Sequence, residues 1–181
     1  MALTPNSASL IIRPMRPASA NVTIAPATRN DVPLIRELIL ELAEYERAKP
    51  GEAPVTEQDL ANTLFGGNPA AEVLIAYLEG APVGFALFFH NYSTWLGKRG
   101  IYLEDLFVRP SARKHGVGFA LLREIARIAL HRDCGRVDWS VLNWNELAIS
   151  FYRQIGARAM DEWTTFRLTG DALSRIGGAA D

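Results

Sequence analysis

Apolar residues recur along this chain with two spacings, one typical of helices and one typical of strands. After residue 28 they return every three or four positions, which places an apolar stripe on one face of a helix. Thr28, with Asp31 three residues later and Pro33 in the first turn, predicts where this helix begins. A second, shorter helix is predicted from Thr56 to Gly66. The stripe of the first helix consists of Ile35, Leu38, Ile39, Leu42 and Tyr45.

Six shorter apolar runs predict β-strands. They cover residues 22–25, 73–78, 83–89, 102–108, 137–141 and 162–168. A turn at residues 79–80 joins the second run to the third, and a polar, aromatic loop is expected at residues 91–100. Two more helices are predicted, one from Gly116 to near Gly135 and one over residues 146–155, with room for a short helix at the C-terminus. The resulting order, β-α-α-β-β-β-α-β-α-β, predicts an α/β fold.

The first twenty residues differ from the rest, because they are rich in Pro, Ser and Ala. Their apolar run, residues 10–12, is too short for a signal peptide. We expect residues 1–20 to be an N-terminal extension and residues 21–181 to form a single domain, since 181 residues suffice for one sizeable core.

Composition narrows the class of protein further. The net charge of −1 argues against a general nucleic-acid binder, and no apolar run reaches membrane-spanning length. A single cysteine, Cys134, excludes an internal disulfide framework and a cysteine-rich zinc site. The three histidines lack metal-ligand spacing, so no metal is expected. These features predict a cytoplasmic protein without nucleic-acid or membrane partners.

The stretch from residue 101 to residue 122 carries the strongest chemical signal. The predicted strand contains two carboxylates, Glu104 and Asp105, and a basic link follows before Gly116 and Gly118 open the next helix. A helix N-terminus with bare glycine backbone suits a phosphate or pyrophosphate, and the acids suit a cation. The strings of the nucleotide-triphosphate loop and of the dinucleotide fingerprint are both absent from the sequence. The alternative is that the glycines serve only close packing of the helix.

The pattern Arg113-x-x-Gly116-x-Gly118 resembles motif A, the acetyl-CoA loop of the GCN5-related N-acetyltransferase (GNAT) family. The segments YLEDLFV and WNELAISFY, in that order, resemble the diamine and thialysine branch of this family, which is related to spermidine/spermine acetyltransferase. The resemblance covers residues 24–173. It implies the acyl-CoA N-acyltransferase fold, a mixed central sheet with a splayed strand pair flanked by helices, and acetyl-CoA as co-substrate.

The resemblance also assigns site residues. Backbone N–H groups after a bulge in the acidic strand and the basic glycine loop would bind the cofactor, with Asn145 on its pantetheine arm. Tyr152 would protonate the leaving thiolate, although its helical spacing also fits a core aromatic residue. The implied cofactor-binding set is Leu106, Phe107, Val108, Arg113, Lys114, His115, Gly116, Val117, Gly118, Asn145 and Tyr152.

The acceptor chemistry points to the two strand carboxylates. At pH 7 only about one in two to three thousand molecules of an alkyl amine with a pKa near 10.4 is neutral. A carboxylate near the amine can hold the cation and relay its proton through water. Glu104 is the first candidate for this role and Asp105 the second. Strand alternation puts them on opposite faces unless a bulge intervenes. Alternatively, Glu104 is paired with an arginine. Trp95 either lines the acceptor site or is a surface aromatic residue.

The sequence therefore predicts an acetyl-CoA-dependent N-acetyltransferase for a small primary amine such as a diamine, polyamine or lysine analogue. The alternatives are an N-acetyltransferase for proteins or peptides, and a catalytically silent module that senses acyl-CoA. The resemblance further implies a homodimer that forms partly through the strand at residues 162–168. Ala148, where this branch often has serine, weakens the transfer of polyamine specificity.

Overall fold

A computed structural model describes residues 21–178, which divide into two compact units. The first unit spans residues 21–140 and the second spans residues 141–178. The predicted extension at residues 1–20 lies outside the described residues. That residues 21–181 form one domain stays a prediction.

The first unit contains one five-stranded sheet and three α-helices. In chain order these are β1 (Val22–Pro26), α1 (Val32–Tyr45), α2 (Glu57–Phe65), β2 (Glu72–Leu78), β3 (Ala81–Ser93), β4 (Lys98–Val108), α3 (Val117–His131) and β5 (Val137–Trp139). Short 3-10 helices at Arg29–Asp31 and Pro110–Ala112 precede α1 and α3. The helix starts follow the predicted signals: Thr28 and Asp31 form a capping box, and so do Thr56 and Asp59.

The strands lie in the order β1-β2-β3-β4-β5. Neighbours from β1 to β4 are antiparallel, and β5 is parallel to β4, so the sheet is mixed, as predicted. The parallel ladder joins β4 and β5 over Ile101–Leu103 alone. Beyond Leu103, no strand pairs with that edge of β4 in the part of the chain that the structure describes. The ladder ends where β5 itself ends, at Trp139.

Each face of the sheet carries its own core. On one face Val73, Phe85 and Phe107 pack with buried residues of α1 and α2, which include Ile35 and Leu38. The opposite face carries Phe88, Ile101 and Leu103, all essentially inaccessible to solvent, and α3 supplies a fully buried stripe that contains Leu121 and Ile125. The helical and strand periodicities of the sequence therefore specify both layers.

A β-bulge in β4 interrupts the alternation between these faces. Leu87 of β3 pairs with Asp105, whereas the next β3 residue, Phe88, pairs with Leu103. Glu104 is thus the extra residue, and the bulge moves Asp105 to the face opposite Leu103. Because Asp105 lies across from Leu87 and two residues from Phe107, it belongs to the α1 and α2 face.

The hairpin between β3 and β4 corrects one prediction. The loop expected at residues 91–100 is shorter, because β3 continues to Ser93 and β4 already begins at Lys98. The polar residues mistaken for loop are held by contacts to the chain after α3: Asn91 binds Asp138, and Lys98 binds Asp133. Tertiary hydrogen bonds thus override a local composition typical of loops.

The second unit contains the helices α4 (Glu146–Gln154) and α5 (Gly170–Gly177). The strand predicted over residues 162–168 is wrong, since these residues are not in a strand. Their alternation of bulky and polar side chains suits a strand, but a strand also needs a partner for its backbone groups. No ladder to this segment exists within residues 21–178. In the same range, no helix has the length and apolar character to cross a membrane.

Gly84 tests how tightly β3 and β4 approach each other. A Cβ built on Gly84 would overlap the carbonyl oxygen of Phe107, whereas a Cβ on Gly67 would meet nothing within 4 Å. We expect Gly84→Ala to lower the free energy of unfolding by about 1–3 kcal/mol, the usual range for overpacking, and Gly67→Ala to change it by less than about 0.5 kcal/mol. Urea denaturation of both variants measures this. Equal stabilities would show that β3 can move away from β4 at little cost.

Candidate active site

The bulge places the two candidate carboxylates in different environments. Glu104 is exposed, and Asp105 is half-buried on the α1 and α2 face. Burial raises the pKa of Asp105 to about 6, and the negative charges of Glu104 and Glu46 add to the effect. No hydrogen bond or ion pair to the Asp105 carboxylate is found among residues 21–178. The two strand acids and Glu46 therefore form a cluster of negative charge without a counter-ion from the described residues.

Glu46 comes from the end of α1, where it is the C-cap. The helix dipole also directs its negative end toward this position. Neighbouring acids on α1 behave differently, because Glu41 and Glu37 both bind the guanidinium of Arg109. Of these α1 acids, Glu46 is thus close enough to raise the pKa of Asp105, whereas the charge of Glu41 is offset by an arginine.

The open edge of β4 presents backbone donors beside these acids. The N–H of Arg109 donates to the carbonyl of Val83 on β3, at 2.8 Å. Because antiparallel ladders alternate, Leu106 and Val108 then direct their backbone groups away from β3, toward the unpaired edge. The same alternation directs the N–H of Phe107 toward β3.

Arg113 fixes the start of the loop between β4 and α3. Its Nε donates to the carbonyl of Val108 at 3.0 Å, and its guanidinium lies 4.3 Å from the ring centroid of Tyr45 on α1. Tyr45 also packs against Phe107, with ring centroids 6.4 Å apart. Arg113 is half-buried and therefore holds the loop against both β4 and α1.

The glycines at the start of α3 leave room for a ligand. Gly116 has φ of 81°, in the left-handed region that favours glycine, and its carbonyl accepts the first helical hydrogen bond from Ala120. A Cβ on Gly118 would contact the side chains of Leu106 and Val108 at an ordinary 3.9 Å, so packing does not require glycine there. This observation disfavours the alternative that Gly118 serves only helix packing. The residues present fit a pyrophosphate at the N-terminus of α3.

The remaining loop residues take different positions. Lys114 and His115 are exposed, and the Nδ1 of His115 lies 2.9 Å from the carbonyl oxygen of Arg113. Val117 is buried at the start of α3. The loop thus offers two exposed basic side chains. The side chain of Val117 packs in the core, and its backbone N–H lies in the first turn of α3.

Asn145 and Tyr152 belong to the second unit. The Oδ1 of Asn145 accepts a hydrogen bond from the N–H of Ala148 at 3.3 Å and thereby caps α4. Tyr152 lies on α4, half-buried, with its ring 5.3 Å from that of Phe151. No residue of α4 is fully buried, so Tyr152 is not a buried core residue in the described part of the chain.

Trp95 lies at the tip of the β3–β4 hairpin and is 89% exposed. The hairpin itself is anchored, since the hydroxyl of Ser93 accepts a hydrogen bond from the N–H of Leu96 and lies 3.3 Å from a guanidinium nitrogen of Arg136. The structure therefore brings Trp95 into no contact with the acidic cluster, and its role at the acceptor site stays a prediction.

Sequence reasoning missed two members of this site, Tyr45 as a stacking partner and Arg109 as an ion-pair hub. A signal was available, because Glu37, Glu41 and Tyr45 follow one another at intervals of four residues and so share one face of α1. Arg109 and Arg113 have the same interval. Sequence spacing could not show that these two sets face each other.

Comparison with known proteins identifies the family. Residues 36–157 match the family model described as "Acetyltransferase (GNAT) family". The chain is 36% identical over 170 residues to a thialysine N-epsilon-acetyltransferase of Sus scrofa, a match that covers 88% of this chain and 99% of the relative. It is 35% identical over 195 residues to an L-ornithine N5-acetyltransferase of Arabidopsis thaliana, with 83% of this chain and 85% of the relative covered.

Solved structures support the same fold. An integron cassette protein from V. cholerae superposes with a TM-score of 0.74 at 28% sequence identity. The match covers 89% of this chain and all of the other chain.

The uncompensated burial of Asp105 predicts a pH-dependent stability. A carboxyl group whose pKa is raised to about 6 in the folded state binds more protons than in the unfolded state between pH 4 and 6. The wild type should therefore gain stability as the pH falls through this window, whereas Asp105→Asn should not. At pH 7.5 we expect Asp105→Asn to be more stable than the wild type by on the order of 2 kcal/mol, with the difference vanishing near pH 4. Denaturation at both pH values measures it; a difference independent of pH would contradict the assignment.

Proposed function

We propose that this chain, which belongs to the GNAT family of acetyltransferases, moves the acetyl group of acetyl-CoA to a small primary amine on a flexible chain. As a member of this family it is an acetyl-CoA-dependent N-acetyltransferase. The observation that carries the choice of acceptor is the cluster of Glu104, Asp105 and Glu46, whose charge no described residue offsets. Thialysine and ornithine, which name the reactions of two relatives, are amines of this kind.

The cofactor would be held by backbone and side-chain donors of the first unit. The N–H groups of Gly116, Val117 and Gly118 at the start of α3 would bind the pyrophosphate, with Lys114 and His115 as exposed cations beside it. Leu106 and Val108 would donate to the pantetheine arm and to the thioester carbonyl, where negative charge develops during attack. In this proposal Arg113 shapes the loop, and Phe107 supports it through its ring.

The acceptor amine would enter on the α1 face of β4. Asp105 and Glu46 would bind its cationic form, which strengthens the retention of amines over neutral molecules. Glu104, at the bulge and exposed to water, would take the proton that must leave before attack, through a water molecule. Trp95 is the further residue that we propose at the acceptor site.

Departure of the thiolate requires a proton donor, for which we propose the hydroxyl of Tyr152. Asn145, which caps the same helix, would bind the pantetheine arm through its side-chain N–H group. No metal takes part in this proposal; among residues 21–178 no cluster of ligating side chains suited to a metal ion was found.

Two alternative functions predict different products from acetyl-CoA and an amine. A protein N-acetyltransferase would acetylate peptides and ignore free diamines, and a sensor would bind acetyl-CoA without forming product. The cluster of three acids favours a small cationic acceptor over both, because a sensor has no need of it. We also propose a cytoplasmic homodimer. Exposed Trp163, Phe166 and Leu168, in the segment that was expected to be a strand, support contact with a second copy.

Incubation with acetyl-CoA and a mixed panel of diamines, lysine analogues and peptides tests the acceptor class, with products identified by mass spectrometry. We expect acetylated diamines or lysine analogues and little acetylated peptide. Glu104→Gln keeps the size of the side chain and removes the charge, so it should lower kcat/KM for these amines at pH 7 and recover partly at higher pH. Acetylation of peptides alone would make the acceptor assignment wrong.

Tyr152→Phe tests the proposed proton donor. It preserves the contact with Phe151 and removes the hydroxyl, so kcat should fall by on the order of 100-fold or more, with a smaller change in KM. Phe151→Leu, which alters the same aromatic pair and leaves the hydroxyl in place, is the matched control and should retain most of the turnover. Near-normal kcat in Tyr152→Phe would return the residue to a packing role.

A further inference from the structure

Arg109 makes an unusually complete set of contacts at the point where β4 ends. Its Nε lies 2.9 and 3.0 Å from the two carboxylate oxygens of Glu41, and its terminal nitrogens bind Glu41 at 2.6 Å, Glu37 at 2.5 Å and the carbonyl of Pro82 at 3.1 Å. Its backbone N–H donates to Val83. One side chain therefore connects α1, the start of β3 and the end of β4.

The contacts of Arg109 continue along α1 toward the acidic cluster. Glu37, Glu41 and Tyr45 lie at successive intervals of four residues and share one face of the helix. Tyr45 stacks on Arg113, and Glu46 follows immediately as the C-cap beside Asp105. Arg109 thus binds Glu41 five residues before Glu46, the α1 member of the acidic cluster.

We propose that Arg109 is a positioning residue that holds the last turn of α1, and with it Glu46, at the distance from Asp105 that the acceptor amine requires. This inference rests on the proposed acceptor site. Arg109 acts through Glu41, and it also prevents Glu37 and Glu41 from competing for the amine, because its guanidinium offsets their charge. The glycine loop has its own anchor, the bond from Arg113 to Val108, so the binding of acetyl-CoA should depend little on Arg109.

Glu41→Gln tests the clamp. The amide has one acceptor oxygen instead of two and no negative charge, so the charge-assisted fork is lost with little change in size. The matched control is Glu72→Gln. Glu72 forms a similar two-point ion pair, with Arg132 at 2.5 and 2.8 Å, between β2 and the chain after α3. Arg109→Lys is the second test variant, because an ammonium group cannot contact Glu41, Glu37 and Pro82 in the same fixed fork.

Two readouts are measured for each variant. With a diaminoalkane as acceptor, Glu41→Gln and Arg109→Lys should raise the acceptor KM about tenfold, change kcat by less than about threefold and leave the acetyl-CoA dissociation constant within about twofold. Without substrates, hydrogen exchange of the amides at residues 42–46 should become faster. Glu72→Gln should change neither the acceptor KM nor the hydrogen exchange at residues 42–46.

The clamp is refuted if Glu41→Gln leaves the exchange at residues 42–46 unchanged, or if Glu72→Gln alters exchange and KM as much. It is also refuted if Arg109→Lys impairs acetyl-CoA binding as strongly as acceptor use. Failure of the proposed function gives a different result, because the wild type then acetylates no amine. Hydrogen exchange at residues 42–46 still measures whether Arg109 stabilises the end of α1.

Discussion

A single extra residue in β4, Glu104, determines the geometry on which the site depends. If β4 still contained Glu104 but paired with β3 in a regular ladder, Asp105 would lie on the same face as Leu103, inside the core that faces α3, where an unpaired carboxylate is costly. The bulge moves Asp105 to the α1 face and locally strengthens the bend and twist of the strand. It also coincides with the end of pairing between β4 and β5, after which Leu106 and Val108 direct their backbone groups toward an open edge. One local irregularity thus produces the acid position and the backbone donors together.

The surroundings of the bulge oppose stability and favour binding. Half-buried Asp105 meets Glu46, Glu104 and the negative end of α1, with no cation from the described residues to offset them. Such an arrangement costs folding free energy and is retained where a ligand supplies the missing charge. Several other acids of the first unit are paired with arginines: Glu37 and Glu41 with Arg109, Glu72 with Arg132, and Glu124 with Arg127. The contrast supports our proposal that a cationic acceptor binds at the bulge.

Local sequence patterns predicted most of the fold. They failed where strand formation depends on pairing with distant residues. The stripe on α1, the capping boxes and the glycine start of α3 depend on neighbours within a few residues, so sequence spacing sufficed. The strand expected at residues 162–168 had the right alternation, but alternation contains no information about a partner for the backbone. The loop expected at residues 91–100 failed for the opposite reason, because distant residues such as Asp138 and Asp133 stabilise strand where composition suggested loop. At the site, the YLED pattern located the acids, whereas their separate environments depend on register, and the approach of Arg109 to α1 depends on tertiary contacts.

The most direct test of the role of the bulge is deletion of Glu104. The pairing Leu103–Phe88 and Asp105–Leu87 can persist in a regular ladder, so both cores should keep their faces and the variant should fold. The straightened strand should lose the open edge, and acetyl-CoA should bind at least about tenfold more weakly by calorimetry. Glu104→Ala retains the extra residue without its carboxylate and should bind acetyl-CoA like the wild type. A folded deletion variant with wild-type affinity for acetyl-CoA, or one that does not fold although Glu104→Ala does, would contradict the account.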